Sequence, residues 1–132
     1  MLSAEAAAHA LTETGVTAVM IARGTYGNPW IFKNTQALVE GQPVLVPTLD
    51  QMLASFMMHV KLLDAADIHI ARARSLSTWY FRGIPNAAYW RGKSVRCVTA
   101  QDFIDLALEI KETVKQLEGE QESPEHNLSM SL

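Results

Sequence analysis

Only one cysteine, Cys97, occurs among the 132 residues. It excludes an internal disulfide and leaves no thiolate set for a structural zinc. Histidine is sparse as well. His9, His59, His69 and His126 are scattered without metal-ligand spacing, so no metal site is expected. Long apolar runs are missing. The longest candidate, Val16 to Ala22, has the length of a strand and falls far short of the ~18 residues that cross a bilayer. No membrane association is expected. Met1-Leu2-Ser3 runs into Ala, Glu and His, with neither a basic region nor an apolar stretch of signal-peptide type. A cytoplasmic location is the expectation.

Acidic residues are absent from one long stretch. Net charge is −3, which by itself argues against a polyanionic partner. Yet six of the eleven basic residues, and none of the fourteen acids, lie between Ile68 and Gln101. They are Arg72, Arg74, Arg82, Arg91, Lys93 and Arg96. That stretch carries +6 and the remainder −9. Such asymmetry points to an anionic partner for one segment. A basic face that only pairs with flanking acidic helices explains the same composition, and both readings stay open at this point.

What is present reads as two kinds of structure. Residues 3–14 read as an Ala-rich helix with Ser3 as N-cap and Gly15 just past its end. Val16 to Ala22 then reads as a short buried strand, because near-continuous apolar character marks a parallel strand covered on both faces. A lone strand cannot satisfy its own backbone, so it needs a partner outside this chain, self-associates with another copy, or frays. Arg23 to Trp30 is rich in turn residues, and Ile31 to Val39 reads as a short helix. Residues 42–47, holding two prolines, read as a linker.

Beyond the linker the pattern is helical. Thr48 is the expected cap of a helix with the apolar stripe Leu49, Met52, Leu53, Phe56, Val60 and Leu63. A second helix is expected over Ile68 to Phe81, broken by Gly83-Ile84-Pro85-Asn86, and a short one over Ala87 to Arg91. Thr99 caps the last helix with Asp102 at the third position. Phe103, Leu106, Ile110, Val114 and Leu117 form its buried face, and Gly119 ends it. A disordered tail is expected over 119–132.

Two strings carry chemistry. In Val19-Met20-Ile21-Ala22-Arg23-Gly24, a strand ending in Arg-Gly would deliver backbone N–H groups and a guanidinium to a sheet edge, where α/β barrels hold phosphates. A plain turn with a surface Arg fits those six residues too. The longer string through Gly27-Asn28-Pro29-Trp30-Ile31-Phe32 resembles the last barrel strand and following loop of the tRNA-dihydrouridine synthases, with the pattern G-x-D-x-V-M-I-G-R-G-x-x-G-x-P-W-I-F. The resemblance implies that Ala22, Arg23 and Gly24 lie at the phosphate of FMN. Ala22 stands where the family often has Gly.

The second string, Arg72-Ala73-Arg74-Ser75-Leu76-Ser77-Thr78-Trp79-Tyr80-Phe81-Arg82-Gly83-Ile84-Pro85-Asn86-Ala87-Ala88, is similar to the same family's helical-domain pattern R-K-H-x-x-W-Y-x-x-G-x-P-x-A-A. Ser75 replaces the usual Lys and Leu76 the usual His, so one basic contact is lost. The resemblance implies tRNA as partner, with Arg72, Arg74, Tyr80, Arg82, Arg91 and Lys93 as contact residues. Trp79, Tyr80, Tyr89 and Trp90 could stack on unpaired bases. Aromatics at helical spacing are more often core, and Trp79 is expected there.

Taken with its resemblance, the chain is expected to be mainly α. Residues 1–41 would be one helix and one strand from the end of a (β/α)8 FMN-binding barrel, and 48–118 a helical tRNA-binding bundle. The family reduces uridine to dihydrouridine in tRNA with FMN, itself reduced by NADPH. Its general-acid cysteine belongs to the first part of the barrel. Cys97 does not correspond to it, and the family's active-site Lys, His and Asn-Gly-Asp segment are absent. No catalytic residue is therefore assigned, and the chain alone is not expected to catalyse. A stand-alone helical RNA-binding module and a helical structural or interaction protein are the competing readings.

Overall fold

The computed structural model describes residues 2–130, with side chains through residue 121. The described residues are mainly α, and they form six α-helices, one 3₁₀ turn and no strand. The chain divides into two compact units between Thr48 and Leu49.

The first unit pairs α1 (Ala4–Glu13) with α2 (Ile31–Val39). Ser3 caps α1, its hydroxyl accepting from the Ala6 N–H at 3.0 Å. Gly15 follows the helix at φ +76°, a left-handed conformation that costs glycine little. Ala4, Ala7, Ala8 and Ala10 form the buried face of α1, and Ile31 and Thr35 that of α2. The Thr35 hydroxyl is satisfied by Ile31 O at 2.7 Å. Asn34 pins the segment after α2. Its amide donates to Leu45 O at 2.9 Å and accepts from Leu45 N at 2.8 Å, pairing like a strand neighbour.

The expected buried strand is not there. Residues 16–22 have no ladder, and Met20 is 83% exposed. The reason is physical rather than local: extended backbone becomes a strand only when another segment takes up its N–H and C=O groups. None among the described residues does so. Arg23–Thr25 instead makes a single 3₁₀ turn, closed by the Thr25 hydroxyl donating to Ala22 O at 2.7 Å.

The second unit is a bundle of α3 (Leu49–Ala65), α4 (Arg72–Tyr80), α5 (Ala87–Ser94) and α6 (Ala100–Met130). Helix α3 packs on α4 and α6, and α5 packs on α4 and α6. The apolar stripes meet as their spacing demands. Leu53, Phe56 and Val60 of α3 are buried with Phe103, Leu106, Ile110 and Val114 of α6. Phe56 sits among Tyr80, Phe81 and Phe103, with ring centroids 5.6, 5.0 and 6.5 Å away. Leu117 lies beyond this core and is exposed.

Helix boundaries differ from expectation at three places, the first being α5, which runs on from Arg91 to Ser94. Helix α4 starts at Arg72 rather than Ile68, because the His69 ring accepts from the Ala71 N–H at 3.2 Å and holds the preceding residues in a turn. Helix α6 does not stop at Gly119 but continues to Met130. Gly119 is not in the left-handed conformation that ends a helix, and Glu118, Glu120 and Gln121 around it are good helix formers. Residues 131–132 of the expected tail lie outside the described residues.

The start of α6 is a reciprocal cap. Asp102 N–H donates to the Thr99 hydroxyl at 3.1 Å, and the Asp102 carboxylate accepts from Val98 N and Thr99 N at 3.0 and 3.1 Å. The backbone N–H of Val98, then that of Thr99, holds the Asp102 carboxyl below its usual pKa. A depressed carboxylate pKa stabilises the fold above the ordinary carboxylate value, and that contribution is lost as pH falls through the folded value. Thr99→Ala should cost about 1 kcal/mol in urea unfolding at neutral pH. Asp102→Asn should flatten the acid limb of stability against pH; an unchanged limb would remove this cap from the acid response.

Candidate nucleic-acid interface

The acid-free segment forms α4, the turn after it and α5. Arginines two positions apart on α4 diverge, since each residue turns the helix by about 100°. Arg72 points to solvent, whereas Arg74 is half-buried and donates from Nη2 to Cys97 O at 3.0 Å. Ser77 Oγ lies 2.9 Å from Ser94 Oγ, a buried hydroxyl pair that ties α4 to α5.

Between these helices runs a groove of about 440 Å³. Arg74, Ser75 and Thr78 line it from α4, and Arg91, Gly92 and Ser94 from α5, with Val95 at one end. No carboxylate lines it. The hydroxyls of Ser77, Thr78 and Ser94 bond to helix carbonyls or to each other. The groove's cationic donors are therefore the two guanidinium groups. Ser75, Thr78 and Ser94 did not stand out in the sequence; hydroxyls recurring on an Arg-bearing helix were the signal available.

The other basic residues are engaged differently. Lys93 forms an ion pair with Glu109 of α6, which raises its pKa chiefly through that hydrogen bond. It lies in a second hollow of about 280 Å³ with Arg96, Asp102, Asp105 and Glu109, where three carboxylates oppose an anion. Arg82 stacks over Trp79, its guanidinium carbon 4.7 Å from the ring centroid.

The aromatic pair inverts the expected arrangement. Trp79 is 36% exposed, and Tyr80 is only 4% exposed. Tyr80 packs on Phe56, and its hydroxyl lies 3.4 Å from His59 Nδ1. Its ring is thus held in the core, away from any unpaired base. Trp90 is buried too, with Nε1 donating to Pro85 O at 3.0 Å. The exposed aromatic rings on this segment are those of Trp79 and Tyr89. Cys97 is buried, and that burial, with Asp102 nearby, raises its thiol pKa. It is therefore a protonated core thiol at neutral pH.

In the first unit, Arg23 is exposed and Gly24 is buried. The N–H groups of Arg23 and Gly24 make no backbone hydrogen bond among the described residues. Backbone N–H groups and a guanidinium are the kinds of donor that hold a phosphate.

The fold and this face define a mainly helical protein whose basic segment carries an acid-free groove between α4 and α5. The sequence pattern described as Dihydrouridine synthase (Dus) matches residues 1–118, and the chain belongs to that family. It is 35% identical over 92 residues to tRNA-dihydrouridine synthase B of Pasteurella multocida, covering 66% of this chain and 28% of that protein. It is 32% identical over 99 residues to a probable tRNA-dihydrouridine synthase of Mycobacterium leprae, covering 72% and 26%. It is 33% identical over 103 residues to tRNA-dihydrouridine synthase B of Xanthomonas axonopodis pv. citri, covering 74% and 30%. The chain thus spans less than a third of the length of these relatives.

Proposed function

We propose that this chain is the C-terminal part of a flavin-dependent tRNA-dihydrouridine synthase, with residues 1–41 completing an FMN-binding barrel and the helical unit holding tRNA. The family match over residues 1–118 carries this reading. The acid-free groove and the Trp79–Arg82 stack support the RNA role, because phosphate neutralisation and base stacking are what RNA requires. The unpaired, largely exposed apolar run over 16–22 supports the barrel role, since an apolar segment of that length fits a strand whose neighbours the rest of the barrel would supply.

FMN, reduced by NADPH, would supply the hydride chemistry. Ala22, Arg23 and Gly24 would hold its phosphate through backbone N–H groups and one guanidinium. Alone, the chain supplies no general acid and no enclosing barrel, so it binds RNA without reducing uridine.

The test is tRNA binding by the 132-residue chain across a salt series, beside an Arg72→Ala, Arg74→Ala, Arg82→Ala variant. Affinity should fall steeply with salt. Loss of three phosphate contacts should lower the slope of log K against log salt by about 2–3. A chain that binds no tRNA at low salt, while its helical unit stays folded by circular dichroism, would refute the RNA role.

A further inference from the structure

We propose that the α4–α5 groove is a seat for one phosphate oxyanion, clamped between Arg74 and Arg91. This deepens the RNA reading and rests on it for the identity of the occupant: a backbone phosphodiester of bound RNA.

The cations of the basic segment are not equivalent. Lys93 is neutralised by Glu109, and Arg96 shares a hollow with three carboxylates. Arg82 sits over the Trp79 ring. Arg74 and Arg91 alone share an acid-free groove, and neither pairs with a carboxylate among the described residues.

Arg74 is also held in place before any ligand arrives. Its Nη2 is tethered to Cys97 O, and of its five N–H donors that is the one bond present. Its Nε is buried without an acceptor and out of a ligand's reach, so the Nη groups are the donors left for an anion. A half-buried guanidinium with unsatisfied donors and no counter-charge favours an incoming anion over staying empty. Arg91 faces it from a different helix, and Ser75 offers a hydroxyl on the rim. At about 440 Å³ the groove exceeds what a lone phosphate fills and leaves room for chain on either side. That favours a phosphodiester over free phosphate.

The experiment follows the arginine Nε–H resonances of the 132-residue chain by NMR, titrated first with inorganic phosphate and then with tRNA. Arg91→Gln and Arg74→Lys are compared with Arg96→Gln, which lies in the acidic hollow. Thermal unfolding of each is recorded, because Arg74 also holds Cys97 O; Arg91→Gln leaves that tether intact. Phosphate should shift the Arg74 and Arg91 signals and not that of Arg96. Arg91→Gln should weaken tRNA binding about tenfold at low salt and reduce the salt slope by roughly one contact, while Arg96→Gln changes it less than twofold. Salt-dependent tRNA binding that Arg91→Gln leaves as strong as Arg96→Gln does would overturn the seat and spare the RNA reading. Phosphate shifts abolished by Arg91→Gln, without tRNA binding, would uphold the seat with free phosphate as occupant and sink the RNA reading. Silence in both titrations removes both.

Discussion

Phe56→Ala should remove about 3–5 kcal/mol from the unfolding free energy of the helical unit. The ring is fully buried and contacts aromatic residues of two other elements: Tyr80 and Phe81 at the end of α4, and Phe103 on α6. Edge-to-face neighbours of this kind add to simple area burial. Deleting the ring opens a cavity where α3, α4 and α6 meet, and the surrounding rings cannot collapse into it without breaking their own packing. Small domains hold only about 5–15 kcal/mol in total, so the variant should sit close to its unfolding threshold. Urea unfolding followed by circular dichroism reads this directly. Phe56→Leu keeps most of the volume and should lose about 1–2 kcal/mol. Equal losses in the two variants would mean that the site relaxes freely and that Phe56 is not the hub of the bundle.

The features that the sequence disclosed well are those in which one local rule decides the outcome. The Thr99–Asp102 cap was legible because its hydrogen bonds close within four residues. The stripe Leu53, Phe56 and Val60 was legible because helical periodicity selects a face whatever covers it. Residues 16–22 form no strand in this chain because composition reports strand propensity, and a strand forms only with a pairing partner. Trp79 and Tyr80 changed places for a related reason. Adjacent residues on a helix lie about 100° apart, so a small rotation decides which ring enters the core. The rotation of α4 follows its tertiary seat: Ala73, Ser77 and Tyr80 face inward at spacings of four and three, and Trp79 cannot join them. The α4–α5 groove was hidden for a further reason. Arg74 and Arg91 stand seventeen positions apart, and the Ser77–Ser94 hydroxyl pair that draws their helices together leaves no periodic trace.

Trp90→Ala should be the second most damaging substitution, at about 3–5 kcal/mol, and the one that links stability to the basic face. Trp90 is 3% exposed, and its indole N–H donates to Pro85 O. That bond closes the Gly83–Asn86 turn, in which Gly83 (φ +88°) and Asn86 (φ +61°) both adopt left-handed backbone. Asn86 has a Cβ and tolerates this conformation at some cost, so the turn depends on contacts beyond its own preferences. Removing the indole takes away the packing and the turn's outside donor together. Helix α5 is then released at its start, and Arg91 follows directly on the lost anchor. Trp90→Phe separates the two effects: packing largely survives, Pro85 O loses its donor, and the cost should fall to about 1–3 kcal/mol. Affinity for tRNA should then drop in Trp90→Ala even at temperatures where α3 and α6 remain helical, and should stay near the parent value in Trp90→Phe. If Trp90→Ala keeps full affinity, the anchored position of Arg91 is irrelevant to RNA, and the basic face acts through net charge rather than through the geometry of the α4–α5 groove.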